Sequence, residues 1–308
     1  MARTAFLIGN GFDLDLGFKT KYSDYFDIWE RNNRWPFNNA TSGLGGYINR
    51  CAKTDKWLDL EKALFDYAAF PNGKAVSVGG VYPLNSDRND FNDLVSSLTE
   101  YINRIPWETP VNKESVASIA LKSILNKGDY AIYSFNYTNL RKIGARLYLD
   151  GTYYDDKEYD LQYTPIHGTV ANQDIILGVH SDAQLIEGYE FLRKIDQPLY
   201  KSNNLQQDIL TAHNVVFFGL SMGIIDYPYF RDFYAGLCTG GIPSSEKRNV
   251  TLFTYDENSR LQLLKQLREL TGTDLMRLKS NCHFEIIRTS CCEDEDKQKF
   301  KKWLEQMD

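Results

Sequence analysis

The apolar residues of this chain fall into two kinds of pattern. Short continuous runs recur at Phe6-Leu7-Ile8, at Tyr130-Ala131-Ile132-Tyr133-Ser134-Phe135, at Asn214-Val215-Val216-Phe217-Phe218 and at Val250-Thr251-Leu252-Phe253-Thr254. A further run is His283-Phe284-Glu285-Ile286-Ile287, and Asp174-Ile175-Ile176-Leu177 reads as another strand. Runs without alternation predict strands covered on both faces, as in parallel sheets. Between them the spacing is helical. Leu14, Leu16 and Phe18, then Tyr22, Tyr25, Phe26 and Trp29, predict one amphipathic helix after the first strand. Helices are also predicted over 91–105, 116–125, 140–149, 199–211 and 259–270. Ser290-Cys291-Cys292-Glu293 reads as the capping box of a last helix, with acidic residues in its first turn. Strands alternating with helices predict an α/β fold, a mostly parallel Rossmann-like sheet with helices on both faces.

Residues 31–125 interrupt that alternation. Glycine, asparagine and serine recur at 38–46 and 72–97, and the apolar patterns between them are helical. The expected organisation is a Rossmann-like nucleotide-binding domain over 1–30 and 126–308, with 31–125 as a helical insertion and 71–90 as a loop.

Composition narrows the class. Of 308 residues 14% are aromatic, far more than a disordered chain carries. The net charge is −6 and no basic stripe offsets it, which argues against nucleic acid as a partner. No apolar stretch reaches bilayer length, so no membrane partner is expected. No leader-like apolar region follows Arg3, and a cytoplasmic protein is the reading. The five cysteines, Cys51, Cys238, Cys282, Cys291 and Cys292, show no C-x-x-C spacing, which suits free thiols and no metal site. His180, His213 and His283 have no metal-ligand spacing with one another or with the cysteines and read as structural.

Candidate chemistry lies at the ends of the strands. Gly9-Asn10-Gly11 closes the first strand and opens a helix, a geometry whose free N–H groups and dipole suit an anion such as a pyrophosphate. The third glycine of the dinucleotide fingerprint is replaced by Leu14, and residues 31–56 hold no strand bearing an acidic ribose ligand. An ordinary NAD dehydrogenase is thereby disfavoured. A second glycine loop, Gly219-Leu220-Ser221-Met222-Gly223, follows the 214–218 run, and Asp256 follows the 250–254 run. Asn136 and His167 stand at comparable positions. Each also has a bland reading, Asn136 as a cap for the helix near Leu140 and His167 as a turn residue before Gly168.

Taken in order, Leu7-Ile8-Gly9-Asn10-Gly11-Phe12-Asp13 with Thr20 and Tyr22, Trp57-x-Asp59-Leu60-Glu61, Ser134-Phe135-Asn136-Tyr137-Thr138, Ile166-His167-Gly168, and Gly219-Leu220-Ser221 with Asp226 resemble the AbiH family of phage abortive-infection proteins. The same order is distantly similar to sirtuin-type NAD-binding domains. That resemblance implies NAD as a substrate, with no metal. It places the pyrophosphate cradle on Gly9 and Gly11, and the candidate nucleotide-binding set is completed by Asn10, Phe12, Asp13 and Thr20 near that turn and by Gly219, Ser221 and Asp256 at later strand ends. It gives the catalytic roles to Asn136, beside the nicotinamide ribose, and His167, as general base. The chain departs from sirtuins in carrying Phe12-Asp13 where they have small residues, and in lacking their zinc ribbon, which argues against protein deacylation. Glu61 is read either as lining the nucleotide site or as solvated, since Asp59 and Glu61 cannot share one face of a helix. The implied activity is hydrolysis of the nicotinamide–ribose bond. Its silence before infection implies a phage-derived trigger, a defence partner protein or a homo-oligomeric switch. Two alternatives stay open: a nucleotide-binding sensor without catalysis, and a hydrolase of another nucleotide.

Overall fold

The computed structural model of the chain describes residues 4–54, 59–77, 81–108, 110–149, 158–223, 225–239, 247–272, 275–290 and 294–307. Trp57 and the Cys291–Glu293 part of the expected capping box lie outside them. The chain divides into two compact units. The first comprises Met1–Phe18, Thr109–Ile166 and Ser202–Asp308; the second comprises Lys19–Glu108 and His167–Lys201.

The first unit is an α/β layer structure. Six strands, β1 (Thr4–Ile8), β2 (Tyr130–Ser134), β3 (Thr164–Pro165), β4 (Asn214–Phe218), β5 (Asn249–Thr254) and β6 (His283–Arg288), form one sheet in the order β3-β2-β1-β4-β5-β6. Every pairing is parallel. The order reverses between β1 and β4, which pair from Thr4↔Asn214 to Ile8↔Phe218. Helices α1 (Asn10–Asp15), α6 (Val116–Lys127), α7 (Leu140–Tyr148), α8 (Leu205–Thr211), α9 (Tyr227–Cys238), α10 (Glu257–Leu270), α11 (Leu275–Asn281) and α12 (Asp294–Met307) accompany it.

The pleat explains the unbroken apolar runs. Ala5, Leu7, Val215, Phe217, Val250 and Leu252 face one way, into a core shared with α8, α9 and α10 through Leu205, Phe230 and Leu267. Their neighbours face the other way. Phe218 lies 5.4 Å from Phe12 of α1 and stacks on Phe253 at 4.8 Å, and Phe253 meets Trp303 of α12 at 5.1 Å. β6, at the edge of the sheet, is the strand whose residues alternate in exposure.

The second unit carries α2 (Tyr22–Arg31), α3 (Gly43–Thr54), α4 (Leu60–Ala68) and α5 (Leu84–Glu108). Tyr25, Phe26 and Trp29 are the buried face of α2, packed with Trp35 and Tyr101. Asp87 of α5 is wholly buried, and accepts the Leu44 N–H at 2.9 Å and the hydroxyls of Tyr67 and Tyr189 at 2.8 and 2.5 Å. Asp90 takes the Gly45 N–H at 2.8 Å. Two carboxylates from α5 thus satisfy the free N–H groups that open α3, as a helix N-terminus requires.

Three local expectations change. The single helix expected from Leu14 to Trp29 is two, α1 and α2, because Gly17 adopts a left-handed φ of 95° and the Phe18 N–H returns to Asp13 O. Helix α5 begins at Leu84, inside the stretch read as a loop. Residues 174–177 are buried but outside the sheet, and their backbone ties to the preceding turn are Asp174 N–H to Thr169 O at 3.3 Å and Ile176 N–H to His167 O at 2.8 Å.

Candidate functional site

In the first unit the candidate residues gather where the strand order reverses. Gly9 ends β1 with extended backbone, and α1 starts at Asn10, which is exposed. The loop after β4 lies directly against this turn. The Gly9 N–H donates to Phe218 O at 2.9 Å and the Gly11 N–H to Gly219 O at 3.0 Å, while the Phe12 N–H returns to Gly9 O. A β-carbon on Gly11 would stand 2.5 Å from Gly219 Cα, and one on Gly9 2.7 Å from Gly219 O. Gly219 itself has a φ of 64°. The glycines therefore let two loops touch backbone to backbone. Gly11→Ala is expected to cost about 1–3 kcal/mol of stability by overpacking this contact. Chemical denaturation measures it, and an unchanged midpoint would show that the loops part freely.

Beneath the turn is a polar cluster that the sheet brings together. Asn136, just past β2, is buried, and its Nδ2 donates to Gly9 O at 3.0 Å. Asp13, on α1, is 1% exposed and accepts the Thr138 hydroxyl at 2.9 Å. Burial pushes the Asp13 carboxyl up to about 7, against the opposing effect of hydrogen bonds from Thr138 and Asn136. The helix-cap reading of Asn136 does not hold. Asn139 is the cap of α7, accepting the N–H groups of Arg141 and Lys142 at 3.0 and 3.3 Å.

The remaining residues of this unit sit apart. Phe12 is core. Ser221 is exposed in the second glycine loop. Asp256 caps α10, accepting the Ser259 N–H at 2.8 Å, and that bond holds its carboxyl below the usual range.

Thr20 and His167 belong to the second unit. His167 is 3% exposed and precedes a tight turn in which Gly168 has a φ of 72°. Lys194 Nζ lies 3.2 Å from its Nε2 and 3.5 Å from its Nδ1. The same Nζ pairs with Glu61 Oε1 at 2.9 Å, both side chains being largely buried. Glu61 is thus neither solvated nor level with Asp59, which caps α4 by accepting the Lys62 N–H. Lys194 carries no motif, and the separations among 61, 167 and 194 follow no local rule. Nothing in the sequence pointed to it. Among the described residues no three His, Cys, Asp or Glu side chains gather in a way that could hold a metal ion. No helix there is long and apolar enough to cross a membrane.

A parallel sheet in the order β3-β2-β1-β4-β5-β6, with a glycine turn at its switch point, defines a Rossmann-like α/β protein. A family model described as Bacteriophage abortive infection AbiH matches residues 5–239, and the chain belongs to the AbiH family. The match runs from β1 to the end of α9 and includes both polar clusters. No curated protein matches the chain.

Proposed function

We propose that this abortive-infection protein binds NAD at the carboxyl ends of β1 and β4 and hydrolyses its nicotinamide–ribose bond. The observation that carries the binding is the strand order, since ligands of open α/β sheets occupy the crevice where that order reverses. Gly9 to Asp13 lie there, with Asn136 alongside. The sirtuin-type resemblance supports the chemistry. In that reaction the C1′–N bond breaks with its electron pair leaving on nicotinamide, through an oxocarbenium-like ribose. Water adds to C1′ and gives up a proton.

The chain's own residues suit these steps. Asn136 has an Nδ2 donor engaged by Gly9 O, so its carbonyl oxygen is the atom to accept a ribose hydroxyl or water proton. The sirtuin-type resemblance gives the role of proton acceptor to His167, a residue of the second unit. Glycine loops and an amide add no charge to the site, while Asp13 is largely protonated below neutral pH and does not repel a pyrophosphate there.

Infected cells carrying the wild-type protein should lose NAD and gain free nicotinamide. His167→Ala and Asn136→Ala should each slow that loss on the order of a hundredfold or more. Asn136→Asp is a poorer variant, because it sets a second carboxylate against Asp13 and the Gly9 carbonyl. Thermal stabilisation by NAD without nicotinamide release in any condition would favour the sensor reading instead. An absence of both would remove NAD as the ligand.

A further inference from the structure

Burying a carboxyl group costs free energy, and the cost is largest for its charged form. Asp13 is nevertheless 1% exposed, on α1 beside the glycine turn. It serves two side chains that follow β2. The Thr138 hydroxyl donates to Oδ2 at 2.9 Å, and the Asn136 amide donates to the same carboxyl group. The Asn136 amide nitrogen has two hydrogens, and each has an acceptor, Gly9 O at 3.0 Å and the Asp13 carboxyl. A flipped amide would set its oxygen against the Gly9 carbonyl oxygen, and against a carboxylate whenever Asp13 is charged. The orientation of the amide therefore follows from its partners, and its carbonyl oxygen is the atom left to meet a ligand.

We propose that Asp13 is the positioning residue that fixes the Asn136 carboxamide, with its nitrogen toward the protein and its oxygen toward the ligand. This rests on the reading of Asn136 as the residue that accepts a hydrogen bond from a ribose hydroxyl or water. Asp13 holds the amide in either ionisation state, because Thr138 can change its role. A hydroxyl both donates and accepts, so when Oδ2 carries the acid proton Thr138 turns to accept it. The amide has no such freedom, since Gly9 O only accepts. The ligand group beside Asn136 must then be a donor, which suits a hydroxyl or water and not a phosphate oxygen.

The test compares Asp13→Asn with Asp13→Leu. In Asp13→Asn the new carbonyl oxygen accepts from Asn136 and the new NH₂ donates to Thr138, which keeps the arrangement of the protonated acid. Asp13→Leu is close in shape but offers no acceptor, so one Asn136 hydrogen loses its partner. Spectra of protein labelled with ¹⁵N in its asparagine side chains show both hydrogens of each carboxamide, and Asn136→Ser identifies the Asn136 pair. In the wild type both hydrogens should exchange slowly with solvent, and their signals should shift as Asp13 titrates at about pH 7. Asp13→Asn should keep the slow exchange and lose the shift. In Asp13→Leu one hydrogen should exchange about tenfold faster or more. NAD consumption should fall on the order of a hundredfold in Asp13→Leu and by no more than about tenfold in Asp13→Asn.

An Asn136 carboxamide that exchanges as slowly in Asp13→Leu as in the wild type overturns the proposal, whatever the activity does. So does an Asp13→Asn protein that consumes NAD no faster than Asp13→Leu. Should Asp13→Leu fail to fold, the wild-type spectrum decides, and Asn136 signals that do not respond to pH around 7 overturn the proposal. If the wild type consumes no NAD, it is the NAD reading that fails, and the carboxamide signals alone decide the role of Asp13.

Discussion

Gly168→Ala is expected to be the most destabilising single-methyl change in the second unit. Its β-carbon would lie 1.8 Å from the Asp174 carbonyl oxygen and 2.5 Å from the carbonyl carbon, backbone atoms that no rotamer change can move. The φ of 72° adds the left-handed strain of an L-residue, about 1–2 kcal/mol. With about 1–3 kcal/mol for overpacking, the loss should total roughly 2–5 kcal/mol. Asp174 cannot simply withdraw, because its carboxylate accepts the Thr169 N–H at 2.7 Å and meets Lys201 at 3.1 Å. His167 immediately precedes this turn, so the substitution should disturb its ring as well as the fold. Urea unfolding of the variant is the measurement. A change smaller than about 0.5 kcal/mol, the range of ordinary surface substitutions, would show that the turn is looser than drawn.

The second large effect is a dependence on pH carried by Asp13. Its carboxyl rises from the ordinary 3.8 to about 7 because burial disfavours the charged form. The native protein therefore keeps a proton that the unfolded chain releases between those two values. The stabilisation is fully present below about pH 4 and is lost as pH rises to about 7. At 1.36 kcal/mol per unit the full loss is on the order of 4 kcal/mol. Asp13→Asn keeps the shape and an acceptor for the Thr138 hydroxyl but cannot ionise. It should match the wild type at pH 4 and exceed its stability at pH 8. The useful quantity is the difference between the two proteins across that range, since other groups cancel from it. A difference that stays flat from pH 4 to pH 8 would mean that Asp13 is solvated or already ionised in the native state.

The parts of the fold that could be read from the chain are those whose cause is local or periodic. β1, β4 and β5 announce themselves because strands covered on both faces need unbroken apolar residues. The glycine turn at Gly9 was legible for the same reason, since its residue types are fixed by backbone geometry. What those glycines accommodate was not. Gly11 makes room for Gly219, more than two hundred residues away, and its N–H is engaged there. α3 was hidden because its opening N–H groups are satisfied by Asp87 and Asp90 of another helix. The break at Gly17 is hidden because the apolar spacing runs straight through it. The ordered motifs single out Asn136 and His167 as candidates, whereas Lys194 belongs to no motif. An ion pair between distant segments leaves no periodic trace, and a lone lysine in a polar stretch looks solvated.

The sheet order also sets a timetable for synthesis. β1 ends at Ile8, yet its two neighbours begin at Tyr130 and Asn214. At translation rates of about 5–20 residues per second, β4 leaves the ribosome roughly 10–40 s after β1. Throughout that interval Phe6, Leu7 and Ile8 have no β4 to pair with, so the central strand of the sheet is also a sticky segment of the nascent chain. The turn at Gly9 and Gly11 can close against Gly219 only when β4 arrives. For a protein whose proposed activity would deplete its own host of NAD, late closure has a benefit. A chain truncated before β4 cannot assemble the switch point and would be inert.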